Sequence, residues 1–402
     1  MISSIGIVAA SGVGKEEFWS GLERGEDYLA ELNLIPDADF PVKMAAEVKE
    51  LDAKGFLGPK GLRNLDRSAL FLLIAAQQAI QEAGLQIDQN NCENIGVCTG
   101  TTFSHLWSIF AFDQEVSDQG VELANPALFP SNVMNAASSH VSIRYNIQGF
   151  NATISTGCAS SIAALDYSVN ALETKRAEVA LAGAVETLNL PLLLGFHKLG
   201  YMAGLKGQLL NCPFDRRRNG PVFGEAAVMF CVEDSRRAQE RNVRPLARIR
   251  SVINIMNPFG QGLEQAIKRA LDQAGVGLDD IDYISSCANS SQDLDKTEVA
   301  ALKGIFGNKL KKIPVSSIKS MLGETLSASA GLQVASCIGA MERGIIPPTI
   351  NYREEDPECL IDCVPNKAQK KEVDLALVIA SGLGGYSSAC ILEKYSEQKK
   401  ER

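Results

Sequence analysis

Cys158, in the run STGCASS, has the neighbours that a cysteine nucleophile needs. An apolar strand pattern (NATIST) leads into it, and a helix of small residues (ASSIAALDYSVNAL) follows. A helix N-terminus carries about half a positive charge and unpaired N–H groups. Both favour the thiolate, which is the nucleophilic form. The following amides are also placed to hold an oxyanion. Gly157, Ala159, Ser160 and Ser161 are small enough to let a substrate approach. The same cysteine also reads as a buried structural thiol, the ordinary fate of a lone cysteine.

Glu324 stands in a similar setting. It follows Gly323 and an apolar run (IPVSSI), and precedes another small-residue helix (TLSASAGLQVASCIGA). A second echo links AIQEAGL, starting at Ala79 and running into IGVCTGT, with ALDQAGV, starting at Ala270 and running into DYISSCANS. The two echoes predict a duplicated unit: residues 1–245 with Cys158, residues 246–402 with Glu324, and a site between the halves. Around them helical and strand patterns alternate, as in a helix over 66–83, a strand Ile95–Thr99, a helix over 160–174 and a strand Val179–Gly183. That alternation defines an α/β fold.

The bulk properties narrow the function classes. The chain has 402 residues and a net charge of -9, which gives no electrostatic footprint for nucleic acid. An acidic partner must therefore meet a local basic patch. The ten cysteines are scattered without a C-x-x-C pair, and the N-terminus has no basic-then-apolar leader. This composition predicts free thiols in a reducing cytoplasm. The longest apolar runs, such as residues 69–76, are too short to span a bilayer.

From EEFWSGLERGE through VSIRYNIQGFNATISTGCASS, CPFDRRRNGPVFGEAA, DDIDYISSCANSSQDLDKTE and VSSIKSMLGETLSASAG to SGLGGYSSA, the chain resembles the elongating β-ketoacyl-acyl carrier protein synthases. The resemblance implies a thiolase-like αβαβα five-layered fold, a two-fold dimer and two duplicated halves. It also implies a substrate carried on the phosphopantetheine of acyl carrier protein, with no other cofactor. In the family, the cysteine at Cys158 accepts the acyl group, and two histidines promote decarboxylation of a malonyl thioester. The resulting enolate needs neutral hydrogen-bond donors.

Two departures from the pattern fall on those donors. Cys287 occupies the first histidine's position and Glu324 the second's; His105, His140 and His197 lie elsewhere. The two threonines that meet the pantetheine arm are Asn289 and Ser291, and the phenylalanine gates are Pro221, Ser381 and Leu383. Cys158, Lys319, Asp295, Glu298, Gly384 and Gly385 are retained. Lys319 and Glu298 resemble the family's buried lysine–glutamate pair, which serves as a structural brace or in catalysis. A thiol is a poor donor, and a carboxylate donates only if burial raises its pKa. Ionised, Glu324 would oppose the thiolate and repel malonate.

Three readings follow. One is a chain-length-factor-like partner subunit, which shapes the acyl pocket of an active ketosynthase. The second is an acyltransferase or thioesterase using Cys158, with Glu324 as base. The third is an acyl-binding or structural relic. A zinc site from Cys158, Cys287 and Glu324, and a disulfide between the two cysteines, have no supporting spacing. Lys60, Arg63 and Arg67 recur at helical spacing and form either a patch for acidic acyl carrier protein or a plain solvated face. Arg216, Arg217 and Arg218 belong to a structural turn. Phe129, Met134 and Phe196 line the acyl pocket or are plain core.

Overall fold

A computed structural model of the chain describes residues 1–35, 40–382 and 384–396. Among the described residues, each half contributes five strands to the main order of the central sheet, and a two-residue strand, Gly12–Val13, pairs with the first of them outside that order. The first set is β1 (Ile2–Ala9), β2 (Ile95–Gly100), β3 (Asn151–Ile154), β4 (Val179–Glu186) and β5 (Ala226–Glu233). The second is β6 (Ala247–Met256), β7 (Tyr283–Ser285), β8 (Val315–Ser316), β9 (Leu375–Ser381) and β10 (Tyr386–Lys394). Their order is β3-β2-β4-β5-β1-β6-β10-β9-β7-β8, so each half lays out its strands in the same sequence from the centre outward. Strand direction repeats as well: β2 is parallel to β3 and β4, and β7 is parallel to β8 and β9. The remaining pairs within each half are antiparallel. The halves join along the sheet only where Ile2 faces Ala247, so two five-stranded blocks share a single narrow seam.

Every residue of β1, β4 and β5 is buried, and their sequences (ISSIGIVA, VALAGAVE, AAVMFCVE) lack alternation. Strands covered on both faces read this way. The covering helices are α1 (Arg67–Glu82), α2 (Leu106–Gln119), α3 (Ala136–Tyr145), α4 (Ser160–Glu173), α5 (Gly262–Ala274), α6 (Gln292–Phe306) and α7 (Ser329–Arg343). α1 packs on β1 and β5 with α3 beside it, and α5 packs on β6 and β10 with α6 beside it. Between the sheets lie α4 and α7, which touch each other and strands of both halves. The layers therefore run helix, sheet, helix, sheet, helix, as the family resemblance implies.

A middle-layer helix is covered all round, and α7 is buried at every residue from Ser329 to Met341. Its small side chains let the neighbours approach. A Cβ on Gly331 would lie 2.5 Å from Val228 Cγ1, and the Gly331 N–H donates to Ser161 Oγ at 2.7 Å.

The duplication has a different register from the one read in the sequence. A short 3-10 turn, Gly157–Ala159, leads into α4, and Leu326–Ala328 leads into α7. Gly157 and Leu326 both adopt positive φ, 63° and 44°. The Thr156 N–H donates to Ser160 Oγ at 2.9 Å, as the Thr325 N–H does to Ser329 Oγ at 3.0 Å. Cys158 therefore corresponds to Ser327, not to Glu324, which lies ahead of the second turn. None of the described helices is long and apolar enough to cross a membrane.

Candidate active site

Cys158 lies between the halves, 9% exposed, in an apolar cluster with Phe196, Phe223 and Leu326. From the second half, Ser317–Ser320 and Gly323–Thr325 bring Lys319 and Glu324 to it, while the turn after β7 brings Cys287 and Asn289. Gly382, at the end of β9, closes the other side. A Cβ there would stand 3.5 Å from the Cys158 amide nitrogen, ordinary contact distance. Ser381 ends β9, and Gly384 and Gly385 turn the chain into β10 with φ of 93° and 89°. Gly385 is required there, since a Cβ would meet Pro258 Cα at 2.5 Å. Leu383 lies outside the described residues.

Glu324 is 2% exposed and fully engaged. Its Oε2 accepts from Lys319 Nζ at 2.7 Å and Asn289 Nδ2 at 2.9 Å. Its Oε1 accepts from the Leu326 N–H at 2.9 Å and Ser329 Oγ at 2.5 Å. Burial alone would raise this carboxyl, but the charge and hydrogen bond of Lys319, with Ser329 and Asn289, hold it below the ordinary carboxylate range. With four donors turned to it, Glu324 is placed as a hydrogen-bond acceptor, the arrangement that favours its ionised form over a donating acid. Burial opposes the Lys319 charge, yet Glu324 beside it pushes that ammonium's pKa up.

That pairing corrects the one expected from the resemblance. Lys319 bonds Glu324 and the Cys287 carbonyl (3.1 Å), not Glu298. Glu298 instead accepts from Cys287 Sγ at 2.8 Å and from Ser286 Oγ. Burial pushes Glu298 up to about 7, against the hydrogen bonds from Cys287 and Ser286. The Cys287 thiol is pushed well up by burial and then by Glu298. Its S–H is thus turned to a carboxylate. Asp295 accepts the Phe214 and Asn289 amides at 2.9 and 3.0 Å, and burial raises it to about 6.

For Cys158, burial and then the Glu324 carboxylate push the thiol far up, and Lys319 offsets only part of this. All ten cysteines are free, and no group of three metal-ligating side chains occurs among the described residues. His105 precedes α2, His140 lies in α3 and His197 in the helix Leu190–Lys198.

Two further residues escaped the sequence reading. Glu186, at the end of β4, is 1% exposed and accepts from Phe103 N (2.8 Å), Ser104 Oγ (3.0 Å) and Ser327 Oγ (2.8 Å). It ties the loop after β2 to the turn before α7, and its charge acts on Cys158. Tyr201 packs beside Phe196, with ring centroids 6.1 Å apart. A glutamate ending an all-buried strand is the signal that marks Glu186; nothing in the local pattern marks Tyr201.

Around the site, Asn289 is committed to Glu324, and Ser291 caps α6 through Leu294 N at 3.4 Å. The Pro221 carbonyl accepts from Ala203 N at 2.9 Å. Phe196 is 6% exposed beside Cys158, whereas Phe129 is 63% exposed and Met134 half-buried. Arg217 pairs with Asp215 at 2.8 Å and Arg218 with Asp356, which makes that turn structural. The basic patch does not form one helical face. Lys60 and Arg63 are exposed in turns, while Arg67 opens α1 and donates from Nε to fully buried Glu225 at 2.9 Å.

A five-layered fold with a cysteine at the N-terminus of a middle-layer helix defines a ketosynthase-type site. The chain belongs to the β-ketoacyl synthase family: residues 1–238 match its N-terminal domain and residues 250–353 its C-terminal domain. The tetracenomycin polyketide synthase ketoacyl synthase alpha subunit of Streptomyces glaucescens is 32% identical, covering 99% of this chain and 98% of that protein. The 3-oxoacyl-[acyl-carrier-protein] synthase 2 of Coxiella burnetii is 28% identical, covering 98% of each. Among solved structures, the ishigamide ketosynthase/chain length factor aligns with a TM-score of 0.92 and 26% identity over 98% of each chain. A type II polyketide synthase acyl-carrier protein in complex with its ketosynthase bound to the hexaketide aligns at 0.89, also at 26% identity over 98% of each.

Proposed function

We propose that this chain is the non-condensing, chain-length-factor-like member of a cytoplasmic ketosynthase pair in polyketide or fatty-acid synthesis. The observation that carries the reading is the Lys319–Glu324 ion pair beside Cys158. Decarboxylative condensation builds negative charge twice, on the thiolate and on the enolate oxygen, and both need donors or cations. Here Lys319 and Asn289 are spent on Glu324, and the Cys287 thiol on Glu298. Removing one oxyanion donor costs about 3–4 kcal/mol of transition-state stabilisation, and this site lacks two.

The lobes 1–245 and 246–402 then serve as a scaffold. Exposed apolar side chains on α2, on α3 and in the segment joining them (Trp107, Val121, Leu123, Phe129, Val133 and Ile143) offer a face for the active subunit. Phe196 sets the depth of the acyl pocket. Lys60 and Arg63 meet acyl carrier protein, whose phosphopantetheine carries the substrate. The likeness to a ketosynthase/chain length factor structure supports this assignment.

The test combines native mass spectrometry with acyl transfer. Mixed with an active ketosynthase, the chain is expected to form a one-to-one complex. Incubated alone with acyl and malonyl carrier protein, it is expected to gain no adduct and release no condensation product. An acyl adduct abolished by Cys158→Ala overturns the proposal in favour of an acyltransferase or thioesterase.

A further inference from the structure

Three consecutive residues, Thr349, Ile350 and Asn351, cradle the turn Ser317–Ser320, which carries Lys319 and is buried throughout. Thr349 Oγ1 accepts from the Ser317 N–H at 2.9 Å, and the Ile350 N–H donates to Ser320 Oγ at 3.0 Å. Ser320 Oγ in turn donates to the Ser317 carbonyl at 2.8 Å, which closes the turn on itself. Asn351 Nδ2 donates to the Asn211 carbonyl at 3.1 Å. Asn211 Nδ2 then donates to the Lys319 and Ser320 carbonyls at 2.7 and 3.0 Å.

The cradle is itself held fast. The Thr349 N–H donates to the Val364 carbonyl at 3.0 Å, and the Thr349 carbonyl accepts from the Asn366 N–H at 2.9 Å. Asn351, Val364 and Asn366 all take positive φ, at 68°, 50° and 60°. Asparagine adopts that conformation readily, but a β-branched valine does so under strain, which persists only where the surroundings over-determine the backbone. Lys319 carries its ammonium on a flexible four-carbon stem, so the position of its turn decides which group the charge meets. Glu324 is anchored separately, by the Leu326 N–H and Ser329 Oγ at the start of α7. The ion pair therefore joins two independently held elements, and Thr349 holds only the lysine's.

We propose that Thr349 is a positioning residue for Lys319: through Ser317 its hydroxyl fixes the turn from which the ammonium reaches Glu324, and so sets the reactivity of Cys158. The inference rests on the reading of the Lys319–Glu324 pair as a source of the field at that thiol. Without Thr349 Oγ1, the Ser317 N–H is left buried without an acceptor, and the turn must shift to find one. Glu324 stays in place on its α7 donors, and its charge then acts on Cys158 with less of the lysine's to offset it.

The test measures alkylation of Cys158 by iodoacetamide at pH 8 in the full chain, by peptide mass spectrometry. Loosened packing around a buried thiol speeds its alkylation, whereas withdrawal of Lys319 slows it, so the sign separates a structural role from a positioning one. Thr349→Val, which keeps the shape and removes the hydroxyl, is expected to slow the reaction threefold or more. Thr349→Ser, which restores an oxygen, is expected to react within twofold of wild type. A folded Thr349→Val that slows less than threefold or reacts faster overturns the proposal, as does a serine variant as slow as the valine one. If Thr349→Val fails to fold, Asn351→Gly decides: glycine tolerates the φ of 68° and removes the brace on Asn211. It is expected to slow alkylation twofold or more, and a smaller or opposite change overturns the proposal. Any of these overturning results leaves the non-condensing assignment standing, because an acyl adduct on the wild-type chain is what would overturn that.

Discussion

Replacing Glu324 by glutamine removes a negative charge from beside Cys158 and leaves the Lys319 ammonium acting on the thiol. At a separation on the order of 5 Å and an effective dielectric constant near 20, one unit charge is worth about 3 kcal/mol. This corresponds to a fall of roughly two and a half pH units in the thiol's pKa. The thiolate fraction rises tenfold per unit, while the less basic thiolate loses about half of that gain in logarithmic terms. Alkylation of Cys158 by iodoacetamide at pH 8 is therefore expected to quicken about 20-fold in Glu324→Gln. The variant also destabilises the protein. With its oxygen kept on Leu326 N and Ser329 Oγ, the new amide nitrogen faces two donors, Lys319 Nζ and Asn289 Nδ2. Breaking a buried pair in this way costs about 3 kcal/mol, visible in a denaturant melt. Lys319→Met is the opposing control, expected to slow alkylation further. A Glu324→Gln rate within twofold of wild type, in a folded protein, refutes the charge reading of the site.

Three other perturbations test separate parts of the structure. Glu298 has its pKa raised from 4.5 to about 7, so its stabilising effect is complete below pH 4.5 and is lost as pH rises through 7. Glu298→Gln is therefore expected to gain roughly 3 kcal/mol relative to wild type between pH 4.5 and pH 8, measured by urea unfolding at each pH; a pH-independent difference refutes the shift. Arg67→Ala strands Glu225, whose side chain is fully buried, and is expected to cost about 2–3 kcal/mol. It should leave carrier-protein affinity unchanged, whereas Lys60→Ala with Arg63→Ala weakens that affinity at low salt; calorimetric titration separates the two. Gly331→Ala drives a Cβ to within 2.5 Å of Val228 Cγ1 and is expected to cost about 1–3 kcal/mol by differential scanning calorimetry.

Fold and site were legible to different depths. The alternation of helices and strands follows from periodicity and the five layers from the family resemblance; all-buried strands such as VALAGAVE and the small-residue runs of α4 and α7 are the covered elements. The repeat was visible too, but three residues out of register, because Gly157 resembles Gly323 in type while Leu326 matches it in backbone. Positive φ at a leucine leaves no trace in composition. Family position identified Cys158, Cys287, Lys319 and Glu324 as neighbours, yet not who pairs with whom. Substituting a carboxylate at position 324 changes the best partner for Lys319, and only geometry reveals that Glu298 is then left to Cys287. Arg67 misled for a related reason: spacing predicts a face, but the helix begins at Arg67 itself.

The loss of catalytic groups in this site does not look like decay by neglect. A carboxylate introduced by neglect would be left short of donors, at about 1–3 kcal/mol for each unmet group. Here each oxygen of Glu324 accepts two hydrogen bonds, from Lys319, Asn289, Leu326 and Ser329. Glu186 gathers the loop after β2 and Ser327 in the same manner. Ser327 is the duplicate of Cys158, and the N-terminal turn of α7 that carries it is held by two carboxylates from within the chain, Glu324 and Glu186. Restoring condensation therefore takes more than restoring a histidine. Glu324→His would leave Lys319, Asn289 and Ser329 competing for one ring nitrogen, and Cys287→His would have to displace a thiol already bonded to Glu298. The field around Cys158 is set by Lys319 and two carboxylates, Glu324 and Glu186, and it reverses only if those groups are rebuilt together.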